Sequence, residues 1–475
     1  MISHPIVEAL GTMAEDVAEQ AWAWAELRDA RLGDARLTRR LVQVTHTLSK
    51  NPEESIPSAF GNDRHATKAV YRFMDNDSVD PDEILNAHRR ATVRRIEAAE
   101  TEMVLLVQDT TQFDFTKHRA TEGLGPTGAP GLSGFFLHTA LCLEPDGGVP
   151  LGLVDWHWWA RDKGSGEQDK RKDRAIKDKE SSRWLETLTR STAALPPGIR
   201  TLTVADRESD IFEFFDHARS LGRHVLLRAN HDRSVVVAGE AKHLWDAALA
   251  AESLGIVSFT VPRDKGRPER QAIASMHVAT IEVRPPAHLA SQRLAPVPLR
   301  AILLQEIDAP ADQVPVQWLL LTTLPVATLE QAHQCVIWYT YRWRIERFHF
   351  VLKSGGNYER LQLQTADRLW RALAIYLVVA WRVLYIDLVA RTRPTDPCTT
   401  FLTDDEWKVL CCHRLKTDVP PPQPPDVRTA VRWIAMLGGF LGRKGDGEPG
   451  VKTLWRGFRR LQDLVEIWQI LHPPE

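Results

Sequence analysis

Cysteine, net charge and long apolar runs are all scarce in this chain, and each scarcity closes off a class of protein. Its 475 residues include 5 cysteines, Cys142, Cys335, Cys398, Cys411 and Cys412, an odd number with no CxxC spacing. Neither a disulfide framework nor a zinc module is expected, and the thiols read as reduced. His413 follows Cys411 and Cys412, but adjacent side chains do not readily share one tetrahedral ion. The formal charge of -2 excludes wholesale attraction to a polyanion and confines any nucleic-acid contact to local basic faces. The N-terminal MISHPIVEALGTMAEDVAEQ has neither a basic leader nor an uninterrupted apolar stretch, so no signal peptide is expected. The most apolar later run, 372–381, is too short to span a bilayer and is flanked by Arg371 and Arg382. With no membrane segment expected, the cytoplasm is the default location.

What is present is the composition of an ordinary globular chain, 43% hydrophobic and 26% charged, long enough for two or three packed units. Residues 1–85 read as a helical domain, because apolar positions recur at helical spacing through WAWAEL, RLVQVTHTL and AVYRFM. Within it Arg28, Arg31, Arg36, Arg39 and Arg40 outnumber Asp29 and Asp34, a basic face that suits either solvent or a polyanion. From Met103 the pattern changes to three short strands, MVLLVQD, FFLHTALCLE and VPLGLVDWHWW, followed by a charged stretch around Gly164 and Gly166. A helix at 181–191, the strand TLTVAD, a helix at 210–221 stopped by Gly222 and the strand HVLLRA complete a βββαβαβ order. That order fits an α+β multidomain protein with a ribonuclease-H-like mixed sheet over 86–230, although other α+β folds satisfy it too. Residues 231–326 form a β-rich insertion, and 327–392 return to the core through a long helix at 328–353 that opens on a Thr-Leu-Glu-Gln capping box. The remainder, 393–475, is helical. Its stripe of Leu454, Phe458, Leu461, Val465 and Trp468 normally packs on the same chain, a seam between subunits being the alternative.

Two apolar strands stop at an acid, Asp109 and Asp206, which places both carboxylates at the mouth of a sheet if the strands are neighbours. Such a residue is as readily a simple turn cap. A third feature bears on the choice: Tyr339, Arg342, Glu346 and Lys353 fall within an arc of roughly 60° on one expected helix. A carboxylate between cations and a phenol suits a phosphate-handling surface better than a core stripe. Glu208 and Asp210 read as structural, Asp210 as an N-cap, and the tryptophans 156, 158 and 159 as core and sheet surface.

The spacing Tyr-x2-Arg-x3-Glu-x6-Lys resembles the YREK motif of bacterial insertion-sequence transposases, in the transposon-five type of DDE enzyme. Further resemblance lies in LGDARLTRRLV, AVYRFM, QDTT, DRESDI, QWLLLTTLPV and YTYRWRIERFH, in that order along the chain. Phe350 departs from it, at a position that is often basic in relatives. The resemblance implies a catalytic, metal-binding triad of Asp109, Asp206 and Glu346, served by two Mg2+ ions with Mn2+ as substitute. It implies that Tyr339, Arg342 and Lys353 hold phosphates, that Trp318 stacks on a flipped base and that Arg228 contacts DNA, with Arg36, Arg39 and Arg40 as contacts of an N-terminal DNA-binding domain. The implied activity is cut-and-paste transposition by nicking, hairpin formation and strand transfer. The partners are double-stranded transposon ends and target DNA, the assembly is a homodimer, and the place is the bacterial cytoplasm, on the nucleoid. A nuclease of the same fold without strand transfer, and an inactive DNA-binding regulator, are the competing readings.

Overall fold

The computed structural model describes residues 21–472 except for 51–53, 129–130, 163–175, 177–178, 263–268, 312, 356–357 and 444. The first twenty residues and the glycines expected in the charged stretch lie outside the described residues. The described chain opens with helices α1 (Ala21–Leu27), α2 (Ala35–Lys50), α3 (Ile56–Ala59), α4 (Arg64–Met74) and α5 (Pro81–Ala98). Residue 85, the expected edge of the first helical region, lies inside α5, which Asp80 caps through the Asp82 N–H.

A mixed sheet of 12 strands forms the body. It begins with β1 (Met103–Asp114), β2 (Gly125–Pro126), β3 (Ser133–Leu143) and β4 (Pro150–Trp159). After helix α6 (Ser182–Ala193) come β5 (Arg200–Ala205), helix α7 (Phe212–Ser220) and β6 (His224–Arg228). β4, β3 and β1 pair antiparallel, and β1, β5 and β6 pair parallel. This is the ribonuclease-H-like arrangement that the βββαβαβ order suggests. Its parallel part needs crossovers, and α6 and α7 supply them over an apolar face that includes Trp184, Phe214 and Phe215.

The 231–326 region does not stand apart from this sheet. Its strands β7 (Ser234–Val237), β8 (Glu240–His243), β9 (Ser253–Val261), β10 (Arg270–Val283), β11 (Val297–Ile307) and β12 (Gln317–Thr322) extend it beyond β6. One short helix, α8 (Leu244–Leu249), is added. The join is the antiparallel pairing of β12 with β6, with Leu320 opposite Arg228.

The helix expected over 328–353 is divided. The capping box of Thr328 and Gln331 starts α9 (Leu329–Thr340), α10 (Trp343–Phe350) follows, and a π-helical turn covers Val351–Gly355. At the joint the bonds tighten to three-residue steps, Tyr341 N–H to the Trp338 carbonyl and Arg342 N–H to the Tyr339 carbonyl, each at 3.1 Å. Tyr341 is anchored over the β3–β4 turn, where a side chain on Gly148 would come within 2.8 Å of its ring.

Helix α11 (Ala366–Thr392) is apolar around almost its whole circumference and is buried. It is long and apolar enough to cross a membrane, but 89% of that stretch is covered by the protein itself. Arg371 reaches from it to the Val79 and Met74 carbonyls, and Trp381 donates to the Pro150 carbonyl at 2.9 Å. The chain ends in α12 (Asp404–Leu415), α13 (Val427–Leu437) and α14 (Val451–Leu471). The C-terminal stripe packs on this chain: Leu454, Leu461 and Val465 are buried, with Phe458 and Trp468 partly so.

Candidate active site

Asp109 does not end its strand, as the sequence pattern suggests; β1 continues to Asp114 because β3 keeps pairing with it, Asp109 opposite Thr139. What ends there is the parallel ladder with β5, whose last pair is Val107 with Val204. Asp206 follows β5 directly and turns the chain by accepting the Glu208 N–H at 2.8 Å. Both carboxylates therefore sit at the carboxyl ends of adjacent parallel strands, where an open α/β sheet leaves a crevice.

Glu346 comes to them on α10. Arg342 ties the group together, its guanidinium 2.7 Å from Glu346 Oε1 and 4.0 Å from Asp109 Oδ2. Burial, and next the negative charge of Asp206, raise the Asp109 carboxyl to about 7, with Glu346 adding to the push; the Thr110 N–H and Arg342 oppose it. Asp206 and Glu346 are thus close enough for their charges to bear on Asp109, and one guanidinium does not relieve it. Among the described residues no three His, Cys, Asp or Glu side chains form a ready-made metal cage. The donor set still fits a hard divalent cation, since it is all carboxylate oxygen and is short of positive charge.

Around the acids stands an aromatic and cationic wall. Trp318, half-buried on β12, meets Tyr339 edge-on with ring centroids 5.5 Å apart. The Arg228 guanidinium lies 5.9 Å over the Trp318 ring, and Arg342 lies at the same distance from the Tyr339 ring. Arg228 and Trp318 come together through the β6–β12 ladder. Lys353 is not in this wall. The break after α9 and the π-turn carry it along β1, where it donates to the Gln112 carbonyl and lies 5.2 Å from the Phe113 ring centroid. Arg36 and Arg39 are exposed and Arg40 half-buried on α2, outside the carboxylate cluster.

Sequence reasoning missed Arg183. From α6 its Nε donates to Thr110 Oγ1 at 2.9 Å, beside Asp109, and its Nη2 pairs with Glu208 Oε2 at 2.7 Å, two residues past Asp206. A lone arginine at a helix start carries no signal that would have found it. Asp210 is not the helix cap expected of it. It is buried, accepts the Asn230 N–H at 2.7 Å and pairs with Arg233, which fixes the loop after β6.

A ribonuclease-H-like sheet with acids at its parallel strand ends, set between helical regions, is the architecture of nucleic-acid-processing enzymes of the DDE class. Residues 19–79 match the family model described as transposase DNA-binding, 177–381 that of the transposase DDE domain, and 378–470 that of the transposase Tn5 dimerisation domain. The chain belongs to the transposon-five type of DDE transposases: it is a DNA transposase, with DNA and a second copy of itself as partners, in a family that generally uses divalent metal ions. Asp206 and Glu346 fall within the matched DDE segment, Asp109 ahead of it, and Arg36, Arg39 and Arg40 within the DNA-binding segment.

Proposed function

We propose that Asp109, Asp206 and Glu346 form the catalytic centre of cut-and-paste transposition, in which one site nicks a transposon end, resolves it through a hairpin and joins it to target DNA. The observation that carries this reading is the convergence of the three acids: the charges of Asp206 and Glu346 bear on buried Asp109, and Arg342 bridges Glu346 and Asp109. The three carboxylates would hold divalent ions, Mg2+ with Mn2+ as substitute, which would supply activation of the attacking oxygen and stabilisation of the departing one. The protein's own groups do the rest. Arg342, fixed by Glu346, offers its remaining donors to the phosphate next to the scissile bond. Trp318, backed by Tyr339 and Arg228, offers a face on which a base leaving the duplex can stack, offsetting the cost of unstacking in a hairpin. Lys353 holds a phosphate further along β1, and Arg36, Arg39 and Arg40 grip the end through the N-terminal helices.

In domain terms, 1–85 binds DNA, 86–230 and 327–392 form the catalytic core, 231–326 is its β-rich insertion and 393–475 dimerises. The place of action is the cytoplasm, on nucleoid DNA. The test is incubation of the purified protein with labelled duplexes carrying its own ends, with and without magnesium, beside Asp206→Ala. Metal-dependent hairpins and joined products that vanish in the variant are expected. Indiscriminate nicking would favour a nuclease, and binding without cleavage a regulator.

A further inference from the structure

Glu346 rides on a short helix that regular helix does not continue on either side. α10 is 8 residues long, the chain tightens into three-residue bonds just before it, and a π-helical turn follows it directly. Ile345 and Phe348 bury its apolar side, but apolar contact has no preferred direction and lets a helix slide over a sheet. A directional bond fixes its height. His349, one turn after Glu346, is buried and meets Thr139 Oγ1 through Nε2 at 3.0 Å. Thr139 is fully buried on β3 and stands directly opposite Asp109 in the ladder with β1, so the two side chains leave the sheet on the same face. The next rung, Thr110 with His138, points the other way, toward Trp184. One side-chain bond therefore joins the helix of the third acid to the rung of the first. Burial, and next the charge of Lys353, hold the His349 imidazole down at about 3, so it makes this bond as a neutral group.

We propose that His349 is a positioning residue: through Thr139 it sets the height of Glu346 over Asp109, and so the spacing of the carboxylates that would take the divalent ions. It acts on Glu346 through the turn of helix between them, not on the reacting groups. This inference rests on the catalytic centre proposed above. Side chains that orient the ligands of an ion without touching it change its affinity by about tenfold or more.

The test titrates the whole chain, free of DNA, with Mn2+ followed by electron paramagnetic resonance, beside Asp206→Ala, and separately reads end cleavage against metal concentration. Thr139→Val, which keeps the side-chain shape, and His349→Leu should each weaken Mn2+ binding about tenfold. The metal needed for half-maximal cleavage should rise by the same factor, while the rate at saturating metal changes less. The double variant should bind no more weakly than either single one, because the two side chains make one bond. Thr139→Ser and His349→Gln, which keep a bonding partner in place, should restore binding. Unchanged Mn2+ affinity in Thr139→Val and His349→Leu, with a loss in Asp206→Ala, would overturn this inference alone. Losses that add in the double variant would overturn it too, since each residue would then act separately. Equal Mn2+ binding by Asp206→Ala and the unaltered protein would overturn the catalytic centre along with it.

Discussion

A buried carboxylate with other acids beside it behaves unlike one alone in water, and Asp109 converts its burial first, and the charges of Asp206 and Glu346 next, into a pH dependence. Its folded value, about 7, lies above its ordinary 3.8, so its contribution to stability is fully present below the ordinary value and is lost as pH rises through about 7. Asp109→Asn removes that penalty. In metal-free buffer the variant should melt a few degrees above the unaltered protein at about pH 8 and level with it near pH 4. Parallel melting curves across that span would show that burial and its neighbours do not hold Asp109 above its ordinary value. Glu346→Ala should abolish nicking while end binding, read by gel shift, stays within about threefold; lost binding would make the residue structural. Arg183 has a different task. Because its Nε donates to Thr110 Oγ1, that hydroxyl is free to donate to His138 Nδ1 at 2.8 Å, which leaves the imidazole neutral with its other N–H toward Gln108. Burial holds His138 well below its ordinary value and agrees with that state. Arg183→Ala should slow cleavage about tenfold with little loss of end binding, and Arg183→Lys should recover part of it, losing the forked geometry. A cleavage time course on the two variants decides this.

At the level of elements, sequence was most informative where a pattern is local. Alternation and apolar runs marked β1, β3, β4, β5 and β6 and the β-rich character of 231–326, and Thr328 with Gln331 announced the start of α9. It misled where a distant partner decides. Apolar residues in β1 give way to acid at Asp109, yet β3 carries the pairing on to Asp114. Residues 339–343 keep helical periodicity, yet the docking of Tyr341 over Gly148 and the bond from Trp338 Nε1 to the Pro145 carbonyl at 3.2 Å accompany a break between the two helices. No single-helix arc survives that break, which is why Lys353 leaves the set it was grouped with. The site residues themselves were legible through the resemblance, since nothing in the spacing of Arg228 and Trp318 shows that they meet. Gly148 tests the joint. It has φ +64, and an added Cβ would press on the Tyr341 ring. Gly148→Ala should cost about 1–3 kcal/mol in urea denaturation and reduce cleavage by more than the lost stability explains, because α10 carries Glu346. Activity that tracks stability alone would deny the joint any positioning role.

On the scale of the whole molecule, α11 is the common wall of three regions. Arg371 bonds back to the N-terminal helices, Trp381 to β4, and Arg382 lies 3.8 Å from Glu406 and 4.2 Å over the Trp22 ring. Lys50 with Glu466 at 2.5 Å, and Arg459 with Glu54 at 2.6 Å, join the first helical region to the last helix directly. Arg382→Ala removes the counter-charge of Glu406, which keeps its hydrogen bonds from the Thr403 N–H and Gln462 Nε2, and empties the space against Trp22. It should cost about 1–3 kcal/mol, whereas Arg382→Met, which keeps the packing against Trp22, should cost less. Calorimetry on the two variants separates lost charge from lost contact. The pairing of β6 with β12 carries a different implication. Arg228 and Trp318 are separated by a long excursion of chain, but their spacing is fixed by neighbouring rungs of a ladder and not by the path between them. Evolution is thereby free to lengthen, shorten or redecorate the far tip of that excursion without retuning the wall beside the acids, so that this stretch serves as a peninsula on which new surface can be tried at no risk to the chemistry.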